Sequence, residues 1–139
     1  MNLCKKIALG LALVAGFQAT AGQLTFDAFL KGAANKDMAF RALGEVVKKY
    51  PKLVIYFGKK ACKYCVKTEQ SITTLLAQYP DVMFVMIDLA KYPFFKNGAV
   101  FKTSNTVPKV RFLLNGIEVT ITDSLTVAEL KARLNQYYR

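Results

Sequence analysis

The sequence holds three cysteines in 139 residues, and two of them stand three apart in the segment Lys59-Lys60-Ala61-Cys62-Lys63-Tyr64-Cys65. This segment follows a short apolar, β-prone run, Leu53 to Phe57, which Gly58 ends, and it leads into a helical pattern. A sulfur at the start of a helix faces unsatisfied backbone N–H groups and the positive end of the helix dipole, and both favour the thiolate. Lys59, Lys60 and Lys63 add positive charge nearby, so Cys62 is expected to ionise below the range of a free thiol and to be the nucleophile. Cys65 falls one turn inside the helix and is the expected resolving thiol.

Two other uses of such a pair have to be weighed. A stapling disulfide across about four residues would remove only about 2 kcal/mol of denatured-state entropy, less than a longer loop would. Structural zinc wants four ligands, and the sequence contains no His. A redox-active Cys62–Cys65 disulfide, with neither metal nor cofactor, fits the residues best.

The third cysteine, Cys4, lies in a segment that reads as a secretory signal peptide over residues 1–21. Lys5 and Lys6 precede an uncharged apolar run from Ile7 to Phe17, and Ala19-Thr20-Ala21 offers small residues at the spacing of a cleavage site. The run is short for a membrane span, which needs about 20 residues as helix. No small-residue lipobox leads into Cys4, which is expected to leave with the signal. Residues 22–139 then form one domain, placed by this reading in an oxidising, periplasmic compartment.

The elements that must position the pair follow from periodicity. Thr25 is a possible N-cap before Phe26, Phe29 and Leu30, and Leu43, Val46, Val47 and Tyr50 repeat a helical spacing up to Pro51, so the N-terminal third reads as mainly helical. Leu53 to Phe57 is a strand covered on both faces. Ile72, Leu75, Leu76 and Tyr79 share a helical face until Pro80, and Val82 to Ile87 is a second buried strand, parallel to the first across a right-handed crossover. A short helix is expected around Phe94 to Phe101. Val110 to Leu114 and Ile117 to Ile121 flank Asn115-Gly116, a dipeptide that favours a tight hairpin. Thr126 and Glu129 give a capping-box pattern for a last helix bearing Leu130 and Leu134. The result is an α/β domain: a mixed β-sheet flanked by helices on both faces.

In this order, the strand Leu53 to Phe57 before Cys62-Lys63-Tyr64-Cys65, Val107-Pro108 before a strand, and Phe112-Leu113-Leu114-Asn115-Gly116 in the closing hairpin resemble the thioredoxin superfamily, particularly its small exported, periplasmic members. The likeness covers roughly residue 48 to the C-terminus. It implies a thioredoxin-like fold and a cis peptide bond at Val107–Pro108, with Pro108 against the cysteines. It further implies that the Val107 backbone pairs with an extended substrate and that Lys63 and Tyr64 lie on the substrate surface. Two departures stand out. Ala61 replaces the Trp that many members carry before the first cysteine. Tyr56, six residues before Cys62, occupies a strand position where many members bury an acid that accepts the proton of the resolving thiol; a core aromatic is the expected role here.

The activity this implies is thiol–disulfide exchange on exported proteins that bear disulfides or thiols. Reduction is the favoured direction, because the sequence has no room for the helical insertion of the strongly oxidising periplasmic enzymes or the dimerisation domain of the isomerases; a membrane redox partner would then supply electrons. A second reading, a binding or assembly module of an envelope or secretion system without turnover, is motivated by the aromatics Tyr92, Phe94 and Phe95 and by the charge. The net charge of +11 suits a solvated basic surface, an acidic partner or an anionic membrane surface. No motif points to nucleic acid.

Overall fold

A computed structural model describes residues 23–25, 35–96 and 106–139. Five strands form one sheet in the order β1-β3-β2-β4-β5. They are β1 (Gln23–Thr25), β2 (Lys52–Gly58), β3 (Met83–Asp88), β4 (Lys109–Leu114) and β5 (Ile117–Thr122). The α-helices among the described residues are α1 (Lys36–Lys49), α2 (Lys63–Leu75) and α3 (Val127–Tyr138). Both β1 and β2 run parallel to β3, whereas β4 runs antiparallel to β2 and β5 to β4. This is the mixed sheet with helices on both faces that the sequence predicts.

Strand β2 lies in the middle, and the period-2 alternation of its side chains divides the core. Leu53, Ile55 and Phe57 pack with Ala39, Leu43 and Val46 of α1 and with Met83, Val85 and Ile87 of β3. Val54 and Tyr56 point the other way, towards Cys65, Ile72 and Leu75 of α2 and Leu130, Leu134 and Tyr138 of α3. A run apolar at every position from Leu53 to Phe57 is what a sheet covered on two faces demands.

The helix ends are capped by side chains. Asn35 accepts a hydrogen bond from the Met38 N–H at 2.8 Å to start α1. Thr126 and Glu129 form the reciprocal capping box of α3. In the hairpin between β4 and β5, Asn115 and Gly116 adopt φ of 51° and 80°, as the dipeptide predicts.

Near the N-terminus Thr25 ends β1, paired with Met86, and the helix expected to follow it lies outside the described residues. Three residues are too few to display a strand period, and what holds them is the open backbone edge of β3. The helical spacing at Phe26, Phe29 and Leu30 and the signal peptide lie outside the described residues. Of the short helix expected at Phe94 to Phe101, a 3-10 turn at Pro93–Lys96 is seen, and the remainder lies outside the described residues. Tyr92 and Phe95 are buried and Phe94 is half-buried against Phe40 and Phe95, so these aromatics are core and not an exposed docking patch.

Candidate active site

Cys62 is the N-cap of α2, with extended backbone and a half-buried side chain. Its Sγ accepts a hydrogen bond from the Cys65 N–H at 3.1 Å, so the sulfur takes the place of the Ser or Asp oxygen that usually occupies a cap. Helices leave their first N–H groups without internal partners, and a thiolate here would meet them directly. No acidic residue stands in the first turn to offset the dipole. The Cys62 N–H donates to the Lys59 carbonyl at 3.3 Å, closing the tight loop from β2.

Cys65 lies one turn inside, wholly buried, and is joined to Cys62 as a disulfide. The helix that carries the pair is held from below. Thr68 Oγ1 accepts from the Leu125 N–H at 3.2 Å, and Ser71 Oγ donates to the Leu125 carbonyl at 3.0 Å, clasping α2 to the loop before α3.

The segment before β4 closes the site from the side. The Val107–Pro108 peptide is cis, Pro108 is buried, and the Val107 carbonyl oxygen lies 3.8 Å from Cys62 Sγ. Thus Cys62, Cys65, Val107 and Pro108 come together although more than forty residues separate the two segments in sequence. Lys63 and Tyr64 are exposed on the first turn of α2, and the Lys67 ammonium lies 5.9 Å from the Tyr64 ring centroid.

Tyr56 has a more specific place than a generic core aromatic. Its hydroxyl faces two acceptors, the Cys65 carbonyl oxygen at 3.3 Å and the carboxylate of Glu69, one turn further along α2. Burial first, then Glu69 and Asp88, push its ionisation far above the ordinary tyrosine range. Tyr56 therefore serves as a hydrogen-bond donor and not as a base. Glu69 escaped the sequence reading; its only signal was the four-residue spacing from Cys65, which places both on one helix face.

Lys109, directly after Pro108, escaped it too. Its side chain is 4% exposed and its ammonium donates to Asp123 at the end of the hairpin and to Thr106 Oγ1 at 3.3 Å. Thr106 is the residue before Val107, so this buried cation ties the carbonyl beside Cys62 to the sheet.

No protein-family model matches the chain. Thioredoxin H8 of Arabidopsis thaliana is 36% identical to it over 87 residues, which cover 61% of this chain and 55% of the relative. The chain thus spans about half the length of that protein. Among solved structures, thioredoxin O2 of Arabidopsis thaliana in the oxidised state superposes with a TM-score of 0.65 at 20% identity, over 86% of this chain and 96% of the other. A thioredoxin variant from Halobacterium salinarum NRC-1 gives 0.65 at 17% identity, over 87% and 95%. The chain has the thioredoxin fold, and sequence and structure both carry its likeness to the thioredoxin superfamily.

Proposed function

We propose that this protein is a thiol–disulfide oxidoreductase in which Cys62 attacks and Cys65 resolves. The observation that carries the proposal is the asymmetry of the pair: a half-buried cysteine at a helix N-cap, beside a backbone carbonyl, and a wholly buried partner. A staple would need no such asymmetry.

In the reduced protein, Cys62 thiolate attacks one sulfur of a substrate disulfide, forms a mixed disulfide and releases the other substrate sulfur as thiolate. Cys65 then gives its proton to solvent or a nearby acceptor and attacks Cys62 Sγ, which forms the Cys62–Cys65 disulfide and expels the second substrate thiolate. Two electrons have passed from the protein dithiol to the substrate disulfide. An external dithiol restores the reduced pair. The Val107 backbone, with its carbonyl facing Cys62, offers an extended substrate segment a strand to pair with.

The favoured direction is reduction of exported proteins, with electrons delivered by a membrane redox partner. Its support is that α2 passes through one 3-10 turn (Leu76–Gln78) into β3 without a helical insertion. The charged start, apolar run and small-residue site of residues 1–21 support export to the periplasm.

Dithiothreitol-driven reduction of insulin tests the activity. Wild type should turn over at catalytic concentration and Cys62→Ser should not; a wild-type protein without turnover would leave the non-catalytic module as the better reading. N-terminal sequencing of the protein recovered from a periplasmic fraction tests the export, with Gly22 expected as the first residue.

A further inference from the structure

The lysines around the cysteine loop are distributed unlike those elsewhere in the molecule. Lys52, Lys109 and Arg111 each face a carboxylate, from Asp81, Asp123 and Glu118. Lys59, Lys60, Lys63, Lys67 and Lys96 form no ion pair among the described residues. Among the described residues, Glu69 on the same helix faces the Tyr56 hydroxyl, and Asp88 accepts from the Ala90 N–H at 2.9 Å. With no acid in the first turn of α2, the helix dipole adds to the positive potential of these lysines.

One spot within this field is sharper than the rest. The backbone of Lys59 is fixed by the Cys62 N–H, and its ammonium lies against that of Lys96, at the end of the 3-10 turn Pro93–Lys96. Contact with Lys59 lowers the Lys96 ionisation below the ordinary lysine range, as expected of two cations held together. An anion between them would relieve that repulsion.

Resting on the oxidoreductase reading, we propose that the cysteine face selects polypeptide disulfides flanked by Asp or Glu, one substrate carboxylate being held between Lys59 and Lys96 and others meeting Lys60, Lys63 and Lys67. A polypeptide is favoured over a membrane surface because the charge surrounds a reactive sulfur and a carbonyl suited to an extended chain, the two features that a substrate strand uses.

The experiment compares two disulfide-bearing peptides of one sequence, with the cysteines flanked by Glu in one and by Gln in the other, in dithiothreitol-driven turnover. Exposed charge pairs act weakly one at a time, so the expected preference in kcat/KM for the Glu peptide is roughly fivefold at about 0.02 M salt, vanishing at about 0.5 M. Lys59→Gln/Lys96→Gln should bring the ratio most of the way to one. Turnover of both peptides at equal rates overturns the inference and leaves the oxidoreductase reading standing, whereas turnover of neither overturns both. Equal rates accompanied by Lys59- and Lys96-dependent binding to phosphatidylserine vesicles would assign the cluster to a membrane instead. A preference that persists in the double variant would exclude this lysine pair as its source.

Discussion

The hydroxyl of Tyr56 lies 3.3 Å from the carbonyl oxygen of Cys65, joining the central strand to the buried member of the cysteine pair. Its ring passes over Gly58, two residues along the same strand: a Cβ there would fall 2.0 Å from the hydroxyl oxygen and 2.4 Å from the ring carbon that bears it. The glycine that ends β2 is thus the space that Tyr56 fills. Gly58→Ala should destabilise the protein by about 1–3 kcal/mol, the usual cost of overpacking a core. Tyr56→Leu should relieve the clash, so the double variant should be more stable than the sum of the two single losses implies. Strict additivity in urea unfolding would show that the ring and the glycine do not compete for space.

Alkaline pH should expose the same hydroxyl thermodynamically. Glu69 from α2 and Asp88 from β3 face Tyr56, and with burial they keep it protonated where an unfolded tyrosine, near pH 10, has ionised. Below that pH folded and unfolded chains bind this proton equally. Above it the unfolded chain binds fewer protons, so stability falls as pH rises, by up to about 1.4 kcal/mol per pH unit from this group. The oxidised protein, in which Cys62 and Cys65 cannot titrate, should therefore lose stability more steeply between about pH 10 and pH 11 than Tyr56→Phe in the same state. Parallel curves for the two proteins would contradict the assignment.

Much of this arrangement was legible because it rests on local rules. The apolar run Leu53 to Phe57, the Asn115-Gly116 turn and the Thr126–Glu129 capping box each act over a few residues, and each is seen where the sequence places it. The sequence also singles out Cys62 and Cys65 through their position at a strand–helix junction. Strand β1 was not legible, since its three residues are held by the edge of β3 and not by a pattern of their own. Glu69 and Lys109 were hidden for a related reason. Charged residues on a helix or strand read as solvated unless the partner is known, and their partners, Tyr56 and Asp123, lie 13 and 14 positions away in sequence.

The Lys109–Asp123 pair should respond asymmetrically to mutation. Lys109 is buried, whereas the Asp123 side chain is 71% exposed. Asp123→Ala withdraws the carboxylate from a desolvated ammonium and should cost about 1–3 kcal/mol. Lys109→Met replaces the cation by an apolar side chain of similar length and leaves Asp123 free to hydrate, so it should cost less. It also loosens Thr106 and with it the Val107 carbonyl beside Cys62, so substrate KM should rise even where stability is kept. The two variants are to be compared by urea unfolding and by peptide turnover; a larger stability loss in Lys109→Met would reverse this account of the pair.

The roles of the two sulfurs make the most direct prediction, because geometry treats them so differently. Cys62 Sγ sits at the helix N-cap within reach of solvent, whereas Cys65 has no exposed surface and is packed among Val54, Tyr56 and Ile72. In the reduced protein a limiting amount of iodoacetamide should alkylate Cys62 at least about tenfold faster than Cys65, since both access and thiolate character favour it. Removing the resolving sulfur should strand the intermediate: Cys65→Ala should accumulate a mixed disulfide through Cys62 that added dithiothreitol reverses. Cys62→Ala should accumulate little, because substrate cannot reach the remaining sulfur without opening α2 away from the sheet. That opening would break the Thr68 and Ser71 contacts to Leu125 as well as the Tyr56 contact to Cys65. Peptide mapping of the trapped species settles which sulfur is joined to substrate, and a predominance of Cys65 adducts would invert the mechanism.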